Sequence, residues 1–360
     1  MPNLQFCRNH ITVIITGKIA RKTTSHEDPI GNVAMITNLS VSNFKSVRQL
    51  EIDCKKINLF IGEPNTGKSN ILEALGLMSW CGQLGQEPLN DHVRFELMQY
   101  LFYDGLVSNR AVEIKLSTKE IDPMGIRITL MGDYYFFYPW ESNTPIRKVD
   151  EKGQSKETTT FGQTRNIKFF RFKNLAKYDG KEPGSLKPPN GTNLFSVVSG
   201  DEALRDMMRE FFEKYGLKLV ARQHERTFEL QKEVDGWVSA IPYTLASDTL
   251  RRIIFYTVAI ASNKDSVLVF EEPESHAFPY YTKYLGERIA LDETNQFFIA
   301  THNPYLLSAI IEKARKEDVQ VLITYFKDFQ THVKPLTPDQ VVELMEADPF
   351  FNLDRFIEEE

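Results

Sequence analysis

One octapeptide constrains the fold of this chain more than any other part of the sequence. GEPNTGKS, Gly62 to Ser69, follows the apolar run Ile57 to Ile61 and precedes a helix-like segment with apolar residues on one face. A loop that wraps backbone N–H groups around phosphate oxygens needs glycine wherever φ is positive or a Cβ would collide. The order of strand, loop and helix is that of a phosphate-binding loop. The sequence therefore predicts a nucleoside triphosphate site, and a chance match in an ordinary loop is the alternative.

The side chains of this loop have distinct predicted parts. Lys68 is expected to supply a positive charge to the β- and γ-phosphates, and Ser69 to offer its hydroxyl to Mg²⁺. The helix that follows directs its positive N-terminal end at the anion. The residues of this segment predicted to bind the nucleotide are Gly62, Glu63, Pro64, Asn65, Thr66, Gly67, Lys68, Ser69 and Asn70.

An acidic motif follows a second strand-like run. Glu271 and Glu272 come directly after the unbroken apolar run Val267 to Phe270, which suits a strand buried on both faces of a parallel sheet. Because ligands lie beyond the carboxyl ends of such strands, both acids are expected to face the phosphates. Glu271 is predicted to help hold Mg²⁺, directly or through water, and Glu272 to orient or deprotonate the attacking water. The alternative is a solvated acidic turn.

A histidine follows a third strand-like run. His302 lies shortly after the run Gln296 to Ala300, one strand beyond the acids. A histidine in this position is predicted to sense the γ-phosphate, and the alternative is a residue that makes only local hydrogen bonds. His302 and Glu272 are therefore the candidate catalytic residues.

In this order the motifs resemble those of ABC-superfamily ATPases, in the branch that contains SMC, RecF and OLD-type proteins. Ile36 to Ser46 resembles the opening strand of that branch, Glu272 to Ser275 its acidic motif and Thr301 to Leu307 its switch-histidine motif. The resemblance implies an α/β P-loop NTPase fold with an ABC-type head. Such a head has a mostly parallel sheet flanked by helices, an antiparallel side sheet and an inserted helical lobe. It also implies ATP hydrolysis with ATP and Mg²⁺ as cofactors, and places Lys45 and Ser46 by the nucleotide base.

The resemblance further implies that two heads enclose two ATP molecules, each completing its partner's site with a signature loop. The candidate for that loop is Leu245 to Arg252, in which Ser247 is retained and Asp248 stands where glycine is usual. An aspartate there repels the γ-phosphate unless it turns away or meets a cation such as Arg251. The alternative is an ordinary helix N-terminus capped by Ser247 or Asp248. Glu271 also departs from the family, which usually has aspartate at that position.

The motifs require one head assembled from two parts of the chain. The head-like pattern begins at Met35, which we expect to be the native start, so that the preceding residues form a disordered or non-native extension. Ala111 to Lys115, Ile126 to Met131 and Tyr134 to Tyr138 predict strands of the antiparallel side sheet. The predicted parts are an extension at 1–34 and a single head at 35–360, made of 35–110 and 241–335 with an insertion at 111–240 and a tail at 336–360.

Local patterns predict four further elements. Arg147 to Thr160 is polar and charged and is expected to form an exposed loop. Asp201 to Tyr215 has the periodicity of an amphipathic helix packed on the core. Val319 to Phe326 is predicted as the last strand, and Thr337 to Glu346 as a helix.

One stretch combines cations with aromatic rings. Between Arg165 and Lys177, basic residues are interleaved with Phe169, Phe170 and Phe172. Cations for phosphates and rings for bases are what single-stranded nucleic acid requires. The favoured interpretation is a strand with its phenylalanines buried on one face and its cations solvated on the other. Nucleic acid stays a candidate partner.

The composition fits a globular enzyme without a membrane segment. The 360 residues are 42% hydrophobic and carry a net charge of −6, which does not suggest a chain devoted to wrapping nucleic acid. No apolar run is long enough to span a bilayer, and the three cysteines show no paired spacing. We therefore expect a cytoplasmic protein with no membrane partner.

The resemblance implies a function as well as a fold. We expect an ATP-hydrolysing conformational switch that forms an ATP-dependent homodimer. It would serve bacterial DNA maintenance or anti-phage defence together with a separate effector protein. One alternative is a nucleotide-gated assembly module with little hydrolysis, and another is a DNA-binding repair protein similar to RecF.

Overall fold

The computed structural model describes residues 35–83, 88–107, 110–120, 122–155, 160–346, 349–351 and 353–357, which form a mixed α/β fold. The extension predicted at 1–34 lies outside these residues. The strands are β1 (Ile36–Phe44), β2 (Val47–Asp53), β3 (Ile57–Ile61), β4 (Val112–Thr118), β5 (Met124–Met131), β6 (Tyr134–Pro139), β7 (Arg147–Val149), β8 (Ile167–Phe170), β9 (Lys218–Arg222), β10 (Thr227–Val234), β11 (Trp237–Pro242), β12 (Val267–Glu271), β13 (Gln296–Ala300), β14 (Val319–Lys327) and β15 (Gln330–Pro335). The α-helices are α1 (Lys68–Gly82), α2 (Leu89–His92), α3 (Leu194–Gly200), α4 (Glu202–Glu213), α5 (Asp248–Ser262), α6 (Pro279–Ala290), α7 (Pro304–Lys313), α8 (Pro338–Glu346) and α9 (Asp354–Ile357).

The central sheet has its strands in the order β15-β14-β3-β13-β12-β8. Every neighbouring pair is parallel except β14 and β15, which run antiparallel. All residues of β3 and β13 are buried, as expected for strands covered on both faces. The prediction of a mostly parallel sheet is confirmed.

Two hydrophobic cores lie on the two faces of this sheet. Val267 and Val269 of β12 pack with α1 and the side sheet, whereas Leu268 and Phe270 pack with α5, α6 and α7. Successive side chains of a strand point to opposite faces, so one apolar run serves both cores. The carboxyl ends of the parallel strands are thereby fixed between the two helical layers.

The antiparallel side sheet has the order β2-β1-β4-β5-β6-β7. Its strands β4, β5 and β6 coincide with the three runs predicted for it to within a few residues at their ends, and that prediction is confirmed. The exposed loop predicted from Arg147 is wrong at its start, because Arg147 begins β7 and is 3% exposed. Its guanidinium lies 3.9 Å from the centre of the Trp80 ring and donates a hydrogen bond to the Gln83 carbonyl. Stacking on an aromatic face lets a charged side chain sit in the core.

The inserted lobe combines helices with a small sheet that the sequence did not predict. Helix α4 confirms the predicted amphipathic helix, with Asp201 as its N-cap and Leu204, Met208 and Phe212 buried. The antiparallel sheet β11-β10-β9 follows it and leads into α5. None of the helices within the described ranges is long and apolar enough to cross a membrane.

Strand β8 accounts for the stretch of cations and aromatic rings. It lies within the segment predicted as an insertion, yet it pairs with β12 in the central sheet. Phe169 and Phe170 are both fully buried, one in each core, so their rings are not available to stack on bases. Lys168 donates hydrogen bonds to Ser185 and Asn263 rather than standing free in solvent. The prediction of a strand is confirmed, but its phenylalanines are buried on both faces of the sheet rather than on one, and Lys168 is hydrogen-bonded within the fold rather than solvated.

Candidate functional site

The phosphate loop joins β3 to α1 in the predicted order. Its backbone has positive φ at Gly62 (147°), Asn65 (63°) and Gly67 (100°). A Cβ at Gly62 would lie 2.6 Å from the Thr324 hydroxyl oxygen, and one at Gly67 would lie 2.8 Å from the Thr331 methyl group. Both glycines are therefore required by backbone conformation and by lack of space.

Lys68 is folded over the loop that precedes it. Its Nζ donates to the carbonyls of Gly62 and Glu63, at 2.7 Å in each case. Burial lowers the pKa of Lys68 to about 8, while Glu272 and Glu63 act in the opposite direction. Gly67 offers no side-chain cap to α1, so the first N–H groups of that helix are left to an anion. The ammonium and the helix end can exchange these contacts for phosphate oxygens.

Glu272 and His302 meet at the carboxyl ends of adjacent strands. Glu271 pairs in register with Ala300, so the residues that follow β12 and β13 leave the sheet side by side. His302 Nε2 lies 3.2 Å from Glu272 Oε1, and Ser275 donates to the other oxygen of Glu272. The hydrogen bond with His302 is the main cause that holds the pKa of Glu272 below its ordinary value. An ionised, partly exposed carboxylate in this position is suited to accept a proton from water.

A buried hydrogen bond of Glu274 links the acidic motif to the segment that carries His302. It is 4% exposed and accepts a hydrogen bond from the hydroxyl of Thr301, the residue before His302. Burial raises the pKa of Glu274 to about 7. The third acid of the motif therefore fixes the turn that carries the histidine.

Glu271 belongs to a charge network that the sequence did not reveal. Its two carboxylate oxygens accept from Arg94 at 3.1 Å and from Arg171 at 3.0 Å. Both arginines also pair with the fully buried Glu73, which accepts from Lys45 as well. Arg171 directly follows β8 and therefore lies at the carboxyl end of a parallel strand, as the acids of β12 do. Glu73 had no local signal, since it lies on an apolar face of α1.

The residues at this site fit a Mg²⁺ ion held mainly through the nucleotide. The described residues contain no group of three His, Cys, Asp or Glu side chains placed to hold a metal. Ser69 lies in the first turn of α1 with its side chain partly exposed. Each Glu271 oxygen keeps a lone pair beside its arginine and can accept from a metal-bound water. Direct coordination by Glu271 would bring the ion next to two guanidinium groups, so contact through water fits better.

Ser46 lies against the phosphate loop, whereas the Lys45 ammonium lies in the charge network of Glu73. The Ser46 hydroxyl accepts from Asn70 and lies 2.7 Å from the Thr331 hydroxyl. The Lys45 ammonium donates to Glu73 and to the Arg94 carbonyl. A contact of Lys45 and Ser46 with the nucleotide base stays a prediction.

The candidate signature loop is exposed at Leu245, Ser247 and Asp248, and its aspartate has cationic partners. Ser247 is the N-cap residue of α5, but its side chain makes no capping hydrogen bond. Asp248 lies 3.4 Å from Arg251 and 3.7 Å from Arg252. These two arginines supply the positive charge that the sequence analysis requires beside Asp248. Thr249 donates to the His276 carbonyl, tying this loop to the segment after the acidic motif. A function in a partner's site stays a prediction.

Comparisons with known proteins agree with this geometry. A family model described as "AAA domain, putative AbiEii toxin, Type IV TA system" matches residues 57–308. A crystal structure of an Smc head bound to the C-winged helix domain of ScpA is similar with a TM-score of 0.54 and 14% identity, covering 86% of this chain and 99% of that one. An Smc head with an extended coiled coil, bound to the C-terminal domain of ScpA derived from Pyrococcus furiosus, gives a TM-score of 0.50 and 13% identity over 86% of this chain and 98% of that one.

A shorter match connects the chain with a repair protein. DNA replication and repair protein RecF from two strains of Bacteroides fragilis is 30% identical over 63 residues. This match spans 17% of the present chain and 17% of the length of RecF. The fold likeness to Smc heads confirms the predicted ABC-type head. Because the family model covers most of the chain, the protein belongs to the family described as "AAA domain, putative AbiEii toxin, Type IV TA system", and its fold is that of an ABC-type ATPase head.

Proposed function

We propose that the chain binds ATP with Mg²⁺ at the phosphate loop and hydrolyses it with Glu272 and His302. The observation that carries the proposal is the position of the Glu272–His302 pair, which lies at the carboxyl end of the sheet next to β3, the strand that leads into the loop of Lys68. β3 and β12 both pair with β13, so their carboxyl ends lie on either side of the strand that carries the histidine. After the hydrogen bond with His302, the charge of Lys68 also helps to lower the pKa of Glu272, and the charge of Glu272 opposes the lowering of the Lys68 pKa by burial. Calorimetric titration with ATP tests the binding step.

Each residue has a definite task in this proposal. Lys68 leaves the loop carbonyls to neutralise the β- and γ-phosphates, and Glu272 accepts a proton from the attacking water. In the absence of nucleotide, His302 keeps Glu272 ionised and oriented. When ATP binds, His302 contacts the γ-phosphate. Bound Mg²⁺ would supply positive charge against the phosphate oxygens, with Ser69 and the water-linked Glu271 holding it.

We further propose that ATP brings two copies of the chain together. Ser247 is exposed beside Leu245, whose side chain is 72% exposed. Asp248 is paired with Arg251, which lowers its repulsion of a partner's triphosphate. A surface that reaches a partner's nucleotide must be open in the monomer, and this loop meets that condition.

One observation favours a nucleotide-gated assembly module with little hydrolysis as a second candidate. Each carboxylate oxygen of Glu271 is already paired with an arginine. The Glu271 side chain is also one methylene longer than the aspartate that is usual at that position. The two ion pairs hold the Glu271 carboxylate away from the position of the metal ion. ATP would then assemble the protein without rapid turnover. The rate of phosphate release at saturating ATP separates the two candidates.

The pathway is proposed from the relatives. The family description names a putative toxin of a type IV toxin–antitoxin system, and RecF is named for DNA replication and repair. We propose a cytoplasmic ATPase of DNA maintenance or anti-phage defence that acts with a separate effector protein. A DNA-binding role like that of RecF is less favoured, since the net charge is −6 and the rings of Phe169 and Phe170 are buried. Purification from the native host followed by mass spectrometry of bound proteins and nucleic acid tests this proposal.

A further inference from the structure

The hairpin of β14 and β15 packs directly against the phosphate loop. Thr324 of β14 lies so near Gly62, and Thr331 of β15 so near Gly67, that a side chain at either glycine would collide with them. Both threonines are 1% exposed, as is expected of a valine at such a strand position. Their hydroxyls, however, need partners in the core, and they find them in and around the loop.

Thr324 holds the start and the middle of the loop through its hydroxyl. Its Oγ1 donates to the Ile61 carbonyl at 3.0 Å and lies 2.9 Å from the Thr66 Oγ1. Thr66 in turn donates to the Glu63 carbonyl at 2.9 Å. Two hydroxyls have two protons for these three contacts, so two hydrogen bonds form at any one time and the protons can redistribute. The network spans the loop from its entry to its last turn.

Thr331 holds the other end of the loop through the turn between β1 and β2. Its N–H donates to the Ser46 carbonyl at 2.8 Å, and its hydroxyl lies 2.7 Å from that of Ser46. Asn70, in the first turn of α1, donates to the same Ser46 hydroxyl at 2.7 Å. Hairpin, turn and helix are thus joined by buried or partly buried hydrogen bonds.

Among the described residues, another side of the phosphate loop borders an open cavity. A cavity of about 320 Å³, open to solvent, borders Glu63, Pro64, Asn65 and Thr66, and the rest of it is lined by residues of β14, by Leu353 and by α9. Left-handed backbone conformations such as that of Asn65 persist only where the surroundings hold them. Because the described residues leave this side of the loop open, we assign the support of its backbone to the hydrogen bonds from Thr324 and Thr331.

From these contacts we propose that the β14–β15 hairpin is a positioning element, with Thr324 and Thr331 as positioning residues that keep the phosphate loop in its nucleotide-binding shape. The proposal rests on the proposed nucleotide site and extends it to residues that touch no nucleotide. A loop that is already ordered does not lose conformational entropy when phosphates bind. Loss of these hydroxyls therefore weakens nucleotide binding even where the fold is intact.

The test compares Thr324→Val, which keeps the side-chain shape, with Thr324→Ser, which keeps the hydroxyl. We expect Thr324→Val to weaken binding of the fluorescent analogue mant-ADP about tenfold, equivalent to about 1.4 kcal/mol. Thr324→Ser should stay within about twofold of the wild type. Thr257→Val is a matched control, since Thr257 is also buried but its hydroxyl has no partner in the described structure. Thr331→Val with Thr331→Ser repeats the comparison should Thr324→Val fail to fold.

A second measurement separates this proposal from the proposed nucleotide site. Hydrogen exchange of the nucleotide-free protein should be faster in the loop amides 62–67 of Thr324→Val, with β13 unchanged. If the wild type does not bind mant-ADP, the proposed function fails, while the exchange result still decides whether the hairpin orders the loop. Unchanged loop exchange in Thr324→Val, or binding equal to that of the wild type, overturns the positioning role.

Discussion

Replacing Glu73 by glutamine tests the charge network beside the nucleotide site. The Glu73 side chain is fully buried and accepts from Lys45, Arg171 and the backbone and side chain of Arg94. Glutamine keeps the shape but leaves the mostly buried Lys45 ammonium without its counter-ion. Breaking a buried ion pair on one side costs about 3–5 kcal/mol. Arg94 contributes little to this loss, because its side chain is 58% exposed.

The pH dependence of the same variant gives a second check. Burial lowers the pKa of Lys45 below 10.5 although Glu73 opposes this effect. Without Glu73 the pKa falls further, so the folded variant releases its proton at a lower pH than the unfolded chain. The unfolded state then binds more protons, and stability rises with pH towards 10.5. The destabilisation of Glu73→Gln relative to the wild type should therefore shrink as pH increases.

Urea unfolding followed by circular dichroism measures these changes, with Lys45→Met and the double variant completing a mutant cycle. Removing the ammonium together with the carboxylate should recover part of the loss, with a coupling energy of about 1–3 kcal/mol. A Glu73→Gln protein within about 1 kcal/mol of the wild type at neutral pH would refute the reasoning. So would a cycle with no coupling between the two residues.

Two further predictions concern the site itself. Lys68→Ala should weaken ATP binding in calorimetry by about 2–3 kcal/mol with an unchanged circular dichroism spectrum, because the backbone amides remain; unchanged affinity would remove Lys68 from the site. In the Glu272→Gln background, saturating ATP should convert monomer to dimer in light scattering, and adding Ser247→Arg should prevent this without loss of ATP binding by the monomer. A Glu272→Gln protein that stays monomeric, or dimerises equally without ATP, would contradict the shared-site proposal.

The sequence was most informative where a function depends on local order along the chain. The loop at Gly62 to Ser69 needs only a strand before it and a helix after it, and both were visible in the pattern of apolar residues. The rule that ligands bind beyond the carboxyl ends of parallel strands then places Glu272 at the phosphates, and the position of His302 one strand further on places it at the γ-phosphate. The structure places these two side chains 3.2 Å apart.

The residues that the sequence analysis did not identify act through contacts between distant parts of the chain, which leave no local sequence pattern. Arg171 also lies at the carboxyl end of a parallel strand, but the sequence pattern assigns β8 to an insertion and predicts that its cations are solvated. Glu73 is a single acid in an apolar helix, and its partners lie on other elements. Thr324 and Thr331 look like ordinary strand residues, because threonine favours strands whether or not its hydroxyl has a task. Their role appears only when the pairing of β14 with β3 is known.

The central claim is that Glu272, held by His302, drives hydrolysis of ATP bound at the phosphate loop. The most direct measurement is single-turnover phosphate release by the wild type and Glu272→Gln, with ATP affinity determined on the same preparations. Glu293→Gln is the control, an exposed acid just before the amino end of β13. The account predicts that Glu272→Gln binds ATP within about threefold of the wild type but hydrolyses it at least about a hundredfold more slowly. Equal rates for Glu272→Gln and the wild type, or no hydrolysis by the wild type, would contradict it.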